Sequence, residues 1–222
     1  MLDKEYTKIH SLWKREGYDC KETGKKPNGK QFIAGEYALE EFGNIKRWSV
    51  EEKVDGTNVR VIYHDGKVSF GGRTKDAQMP PHLLKYLQDT LGDWNLCKVF
   101  VAKENEPYPS VILFGEGYGP KIQAAGENYS KEVGFILFDI LVGHWWLKRE
   151  DVKLIAENLN IPMVPQIGIM HEKEIVEFVK SKPLSRCSVI PQMMEGVVCR
   201  SEPLVLGRNG QPILFKLKCR DL

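Results

Sequence analysis

Residues 51–70 have the sequence EEKVDGTNVRVIYHDGKVSF, and this stretch decides the fold class. The β-branched and aromatic residues of Asn58–His64 and Lys67–Phe70 predict two strands, and Asp65-Gly66 between them predicts a tight hairpin turn. The preceding residues are therefore held against a sheet. Lys53 ends a strand there, and the glycine-containing turn after it would lift the Lys53 amine out of that sheet.

The rest of the chain adds strands and scattered helices. Further strands are predicted at Val111–Phe114, Phe135–Val142, Gly196–Arg200 and Ile213–Leu217, and helices within Leu2–Arg15 and at Leu83–Leu91, Asp151–Leu159 and Glu172–Val179. The helices do not alternate regularly with the strands. This order predicts an α+β fold with mainly antiparallel β-sheets flanked by helices.

Composition excludes several classes of protein. With 222 residues, 42% of them hydrophobic, the chain can bury a substantial core, and its apolar stretches are too short to cross a bilayer. A net charge of +2 gives no long-range attraction, so binding to a nucleic acid would need a local basic patch such as Lys21–Lys30. Five scattered cysteines without a CxxC pair indicate reduced thiols in an intracellular protein.

Three lysines are candidates for phosphate chemistry. Lys53 would be a nucleophile once deprotonated, which requires burial or cationic neighbours because a lysine has a pKa of about 10.4 in water. Lys216 and Lys218 alternate along the last predicted strand and so project from one face, which suits an anionic phosphate. A solvated strand edge would give the same pattern.

A glycine-rich loop, Phe114–Lys121, follows a predicted buried strand. It is not a Walker A loop, because Pro120 precedes Lys121 and no Ser or Thr follows, and proline also replaces a glycine that the dinucleotide pattern needs. What remains is Glu116 between two glycines, an acceptor suited to a ribose hydroxyl. Glu195, Phe138 and Arg73 are weaker candidates, because each also fits a structural role. Glu195 could be a solvated residue before a strand, Phe138 a core aromatic and Arg73 a surface arginine.

Taken in order, these segments resemble the covalent nucleotidyltransferase superfamily of polynucleotide ligases and RNA capping enzymes. The matching segments are Lys53-Val54-Asp55-Gly56 for the nucleophile motif KxDG, Gly115-Glu116-Gly117 for the third motif, Phe135–Ile140 for motif IIIa, Glu195-Gly196-Val197-Val198 for the fourth and Lys216-Leu217-Lys218 for the fifth. Each string is short and common. Their shared order makes chance agreement improbable.

Within the superfamily the chain is most similar to the RNA ligase 2-like family. The similarity extends to Glu52, Gly56-Thr57-Asn58, Arg73-Thr74, Gly119-Pro120 with Ile122-Gln123, and Phe138-Asp139-Ile140. One position departs from this pattern, because phage members have histidine where this chain has Asp55, and DNA ligases have aspartate.

The resemblance implies a nucleotidyltransferase (adenylation) fold with its nucleotide pocket between the sheets. It also implies one adenylation domain over residues 1–222, without a C-terminal OB-fold or helical domain. The implied activity is ATP-dependent sealing of 5′-phosphate and 3′-hydroxyl RNA ends, as in RNA repair, through lysyl-AMP and an adenylylated strand. We expect a cytoplasmic monomer that does not bind membranes.

The resemblance also assigns roles to single residues. Lys53 would be the nucleophile, Lys216 and Lys218 would contact the α-phosphate, and Glu195 would hold a hydrated Mg²⁺ (or Mn²⁺). Glu116 and Arg73 would bind the ribose, Phe138 would stack on adenine, Glu52 would lie at the adenine edge, and Asn58 would order water around the metal and the lysine.

Three alternative functions remain open at this point. A minimal ATP-dependent DNA ligase would carry the same motifs, because they specify nucleotidyl transfer and not the sugar of the strand. A GTP-using capping enzyme would need further motifs in a second domain. A non-catalytic nucleic-acid-binding module would use the lysines to bind phosphates without covalent chemistry.

Overall fold

The computed structural model describes residues 4–16, 32–74, 77–102, 104 and 106–222. The basic patch predicted at residues 21–30 lies outside the described residues. In chain order the strands are β1 (His10–Ser11), β2 (Trp13–Arg15), β3 (Phe32–Tyr37), β4 (Trp48–Lys53), β5 (Thr57–His64), β6 (Lys67–Gly71), β7 (Val111–Tyr118), β8 (Gly134–Val142), β9 (Trp145–Trp146), β10 (Gln166–Met170), β11 (Gly196–Ser201) and β12 (Leu214–Lys218). The helices are α1 (Glu41–Asn44), α2 (Pro81–Leu91), α3 (Asp93–Val99), α4 (Gly126–Tyr129), α5 (Arg149–Asn158) and α6 (Glu172–Lys180).

The described chain divides into two compact units. The central unit comprises Val54–Val164 and Cys187–Pro191 with residues 4–6, and the terminal unit comprises the described parts of Thr7–Lys53 together with Pro165–Arg186 and Gln192–Leu222. The boundary falls between Lys53 and Val54, directly after the predicted nucleophile.

The terminal unit contains a five-stranded sheet in the order β1-β12-β11-β4-β10. All of its pairs are antiparallel except β1 with β12. One face is the core, where Val50, Val197 and Leu217 pack against Ile175 and Val179 of α6. Because side chains alternate along a strand, the opposite face receives Glu51 and Lys53 of β4 and Lys216 and Lys218 of β12, whereas Glu52 shares the parity of Val197 on the core side.

The central unit is built around a second five-stranded sheet, in the order β6-β5-β7-β8-β9. The predicted hairpin is confirmed, with β5 and β6 paired from Arg60 with Gly71 to His64 with Lys67. α2 packs Leu83, Leu87 and Leu91 into the core of this unit, as their helical spacing predicts. The helices predicted at Asp151–Leu159 and Glu172–Val179 are also confirmed, as are the strands predicted at Val111–Phe114, Phe135–Val142, Gly196–Arg200 and Ile213–Leu217, whereas β3, β9 and β10 were not predicted.

The helix predicted within Leu2–Arg15 is wrong in the part that the structure describes. Residues 4–16 contain the short strands β1 and β2, and no helix. β1 pairs with β12 and β2 pairs with β3, while Leu12 between them is buried in the core of the terminal unit. Strand pairing and the burial of Leu12 override a weak helical spacing.

No helix within the described ranges is both long enough and apolar enough to cross a membrane. Cys97, Cys187, Cys199 and Cys219 are free thiols, and Cys20 lies outside the described residues.

Candidate active site

Lys53 is the last residue of β4 and lies opposite Gly196 of β11. On the other side of Gly196 lies Lys218 of β12. Residues paired in this way project from the same face of a sheet, so the register directs Lys53 and Lys218 to one face on either side of a residue without a side chain.

Glu195, the residue before β11, joins the two lysines. Its Oε2 atom is 2.6 Å from Nζ of Lys53, and its Oε1 atom is 2.5 Å from Nζ of Lys218. The three side chains are only 13–21% exposed, so bulk water screens these ion pairs weakly. Burial alone would raise the pKa of the Glu195 carboxyl, but the ammonium groups of Lys53 and Lys218 outweigh it and hold the pKa below its ordinary value.

Gly196 allows β11 and β12 to pack closely beside this cluster. A Cβ atom at this position would lie 2.1 Å from the backbone oxygen of Leu217 and 2.6 Å from Cα of Lys218. Neither atom is a flexible side-chain end, so a larger residue would push β12 away from β11. The glycine therefore fixes the distance at which Lys218 approaches Glu195.

Lys216 lies two residues before Lys218 on the same face. The register runs across all five strands from Ser11 through Lys216, Val198 and Glu51 to Gln166. Lys216 therefore has a strand on each side, and β1 forms the edge of the sheet beyond it. A solvated strand edge does not describe these lysines, because β12 has β1 and β11 on its two sides at Lys216, and Lys218 is only 20% exposed and ion-paired to Glu195.

In the central unit, two side chains hold the loop that follows Lys53. The backbone N–H of Asp55 donates to the Tyr129 hydroxyl at 3.3 Å, and Nε2 of Gln123 donates to the Gly56 carbonyl at 3.1 Å. A Cβ atom on Gly56 would lie 2.3 Å from the Gly117 oxygen, so the KxDG glycine permits close packing against β7. The chain is thus fixed directly after Lys53.

The central unit also carries the predicted nucleotide-binding residues. Asn58 of β5 lies directly opposite Glu116 of β7, and the Asn58 Oδ1 atom is buried without a hydrogen-bond donor among the described residues. Phe138 falls at a break in the β7–β8 register, between Leu137 and Asp139, which pair with Gly115 and Phe114. Arg73 is exposed in the loop after β6. The structure thus pairs Asn58 with Glu116, and it gives Arg73 no hydrogen bond within the part of the chain it describes.

Glu52 is 2% exposed and has partners that the sequence did not indicate. Its carboxylate accepts hydrogen bonds from the Ser185 hydroxyl at 2.5 Å and from the Arg186 backbone N–H at 2.8 Å. The same segment leads back toward Glu195, because Leu184 bridges Met193 and the N–H of Met194 donates to the Pro183 carbonyl. Glu52 therefore fixes the segment that precedes Glu195.

The possible metal ligands around Lys53 fit a hydrated metal ion better than a directly coordinated one. No group of three or more His, Cys, Asp or Glu side chains suited to a metal occurs among the described residues. Glu195 uses one lone pair on each oxygen for a lysine, which leaves acceptor capacity for metal-bound water. Mg²⁺ retains several waters in most protein sites, so a single carboxylate is a sufficient outer-sphere contact.

The model of the RNA ligase family matches residues 46–218. A search of curated proteins finds no significant match.

Solved structures of RNA ligases share the fold. An apo form of a Naegleria gruberi RNA ligase mutant matches with a TM-score of 0.58 at 18% identity, over 80% of this chain and 50% of that one. A mutant of the same ligase with ATP and Mn matches with a TM-score of 0.59 at 18% identity, over 79% and 51% of the two chains. An archaeal ATP-dependent RNA ligase gives 0.56 and 18%, over 79% and 43%. The chain thus spans about half the length of these proteins.

Proposed function

The chain belongs to the RNA ligase family, and from this premise we propose that it is an ATP-dependent RNA ligase that joins 5′-phosphate and 3′-hydroxyl ends. One observation carries the proposal. Lys53, at the end of β4 and beside Gly196, is ion-paired to Glu195, which also binds Lys218. A nucleophile, an acceptor for a hydrated metal and a phosphate-binding cation are thereby gathered at one end of a sheet.

In the first step Lys53 reacts with ATP. The Lys53 ammonium first gives up a proton to solvent. The neutral Nζ then attacks the α-phosphorus, the N–P bond forms as the bond to the β-phosphate oxygen breaks, and pyrophosphate leaves with the electron pair while Nζ loses a second proton to solvent. Lys216 and Lys218 stabilise the negative charge that develops on the α-phosphoryl oxygens. A divalent ion, which we propose is Mg²⁺, supplies further charge stabilisation when bound, and Glu195 would hold it through its waters.

The family resemblance assigns the rest of the nucleotide to further residues. Glu116 and Arg73 bind the ribose hydroxyls, and Phe138 stacks on adenine. Asn58 uses the Oδ1 acceptor that the described residues leave open to order water near the metal and the lysine. Glu52 accepts a hydrogen bond from the adenine amino group in addition to those from Ser185 and Arg186.

Two further steps complete the reaction. The 5′-phosphate of one strand attacks the lysyl-AMP phosphorus, which releases the Lys53 amine and forms an adenylylated strand. A 3′-hydroxyl then attacks the 5′-phosphorus, the new phosphodiester forms, AMP leaves, and the hydroxyl proton passes to solvent.

Intact-mass measurement tests the first step. The protein is incubated with a divalent ion and ATP, GTP or NAD⁺, and we expect a mass gain of one AMP with ATP alone. Lys53→Ala should remove the gain, whereas Lys46→Ala, a surface lysine whose Nζ donates to the Gly43 carbonyl, should retain it. Labelling that survives in Lys53→Ala would refute the nucleophile assignment.

Nicked duplexes test the choice of strand. Substrates carry RNA or DNA on each side of the break, and the protein should seal those with RNA at the break. If the protein seals only all-DNA nicks, it is a DNA ligase and the proposal is wrong. If the protein gains no mass with ATP, GTP or NAD⁺, the result favours a non-catalytic binding module.

A further inference from the structure

Arg60 of β5 is 1% exposed, although arginine is seldom buried to this extent because its guanidinium stays charged. It belongs to none of the motif segments that carry the family resemblance. Side chains alternate along a strand, so Arg60 shares a face of β5 with Asn58, whereas Val59 and Val61 point into the core of the central unit. The Arg60 side chain therefore projects from the face of the sheet that carries candidate nucleotide-binding residues.

The guanidinium of Arg60 crosses the edge strand β6 at a glycine. Arg60 pairs with Gly71, and a Cβ atom on Gly71 would lie 3.0 Å from a terminal guanidinium nitrogen of Arg60 and 3.5 Å from its Nε atom. Just past Gly71, the Nε atom of Arg60 donates a hydrogen bond to the carbonyl oxygen of Gly72 at 2.7 Å. A side chain of β5 thus holds the backbone directly after the end of β6.

This hydrogen bond fixes the start of the loop that carries Arg73. The Gly72 carbonyl and the Arg73 N–H belong to one planar peptide unit, so the orientation of that unit determines where the Arg73 side chain begins. The loop also packs against itself, because a Cβ atom on Gly72 would lie 2.7 Å from Cβ of Ala77, and the Ala77 N–H donates to the Thr74 carbonyl at 3.2 Å. Arg73 is exposed on a backbone that is held next to it.

We propose that Arg60 is a positioning residue for ribose recognition, because its hydrogen bond to Gly72 places Arg73 where the Arg73 side chain binds the ribose hydroxyls of ATP. A buried donor that loses its acceptor costs free energy, so this bond keeps the loop in one place. Arg60 acts through the loop and does not touch the nucleotide. The inference rests on the proposed function, because it requires that Arg73 bind the ribose.

Deoxy analogues of ATP measure ribose recognition separately from the chemical step. In lysyl-AMP formation the wild type should have a lower KM for ATP than for 2′-deoxyATP or 3′-deoxyATP, because a site that binds a hydroxyl disfavours the analogue that lacks it. Arg60→Met keeps the length of the side chain and removes its donors. Its KM for ATP should rise about threefold to thirtyfold, and its preference for ATP over the analogues should shrink. Its kcat should stay within about threefold of the wild type.

A double-mutant cycle separates positioning from a general loss of stability. In the Arg73→Ala background there is no side chain to position, so Arg60→Met should raise the KM for ATP by less than about twofold. Gly72→Ala keeps Arg60 and displaces the same peptide against Ala77, so it should also reduce the preference for ATP, even if Arg60→Met fails to fold. The control is Val61→Ala, which removes apolar volume from the core face of β5 and should lower stability without changing the preference.

A wild-type preference for ATP in folded Arg60→Met, or in Gly72→Ala, would overturn the inference and leave lysyl-AMP formation intact. An equal rise in KM in the wild-type and Arg73→Ala backgrounds would also overturn it. If Arg73→Ala itself keeps the wild-type preference, Arg73 does not bind the ribose, and the inference fails while Lys53 remains the nucleophile. A wild-type protein that gains no AMP would overturn both proposals.

Discussion

The Nζ atom of Lys53 lies 2.6 Å from Oε2 of Glu195, although the two residues are 142 positions apart in the sequence. The other oxygen of the same carboxylate binds Lys218. One negative charge thus holds two lysines of different strands beside each other. Removing that charge should affect both the stability of the protein and its chemistry.

Glu195→Gln should reduce the free energy of unfolding by about 1–3 kcal/mol, because two partly buried ammonium groups would share a neutral amide. Lysyl-AMP formation should slow by about 100-fold, since the charge that positions Lys218 and that would contact the hydrated metal is removed. Urea denaturation and single-turnover adenylation measure the two effects. Glu177→Gln is the matched control, because its partner Lys180 is exposed on α6. Equal adenylation rates in Glu195→Gln and wild type would contradict the assignment.

The same ion pairs should make stability depend on acidity. The folded-state pKa of Glu195 is lower than the unfolded value of about 4.3, so the contribution is fully present above that value and is lost as pH falls through the folded pKa. The difference in unfolding free energy between wild type and Glu195→Gln should therefore be constant near neutral pH and should shrink below about pH 4. Denaturant titrations from pH 7 to pH 3 measure it. A difference that stays constant over the whole range would contradict the ion-pair geometry.

Glu52→Ala should destabilise the fold by about 1–3 kcal/mol, because the Ser185 hydroxyl and the Arg186 N–H would both lose their acceptor. Ser185→Ala should cost less, about 1 kcal/mol, since only one hydrogen bond is removed. A double-mutant cycle between Glu52→Ala and Ser185→Ala measures their coupling. Strictly additive effects would show that the hydrogen bond between them contributes nothing.

Gly196→Ala should reduce the free energy of unfolding by about 1–3 kcal/mol and should impair adenylation, because the new methyl group would meet the backbone of β12. Gly168→Ala in β10 of the same sheet is the matched control. There the nearest atom to a new Cβ is Cε of Met170 at 3.5 Å, an ordinary contact. If both variants adenylate at the wild-type rate, Gly196 is not a spacing requirement.

Local patterns were sufficient for the elements whose determinants are local. The Asp65-Gly66 hairpin and the apolar spacing of α2 lie within single short segments, and both are confirmed. β1 was not predicted, because His10 of β1 pairs with Phe215, about 200 positions away, and no local pattern encodes that pairing. The two-unit division has the same origin, since the chain leaves the terminal unit after Lys53 and returns at Pro165.

Some features of the candidate site were predictable from the sequence, and others appear only in the structure. Motif order selected Lys53, Glu195 and Lys218, but only the strand register explains why a glycine must separate the two lysines. Ser185 was missed because a single serine in a loop carries no pattern, and only the buried carboxylate of Glu52 reveals its role. The chemical roles of all these residues stay predictions, those of Lys53, Glu195 and Lys218 as much as those of Asn58, Glu116, Phe138 and Arg73.

The position of β12 between β1 and β11 also has a consequence for how the protein folds during synthesis. A nascent chain that extends to Ser201 can already pair β4 with β11 and place Lys53 opposite Gly196. It has neither Lys216 nor Lys218, because both arrive with β12. Because β12 follows β11 in the chain, we expect the face that carries Lys216 and Lys218 to be completed only after β4 and β11 have been synthesised.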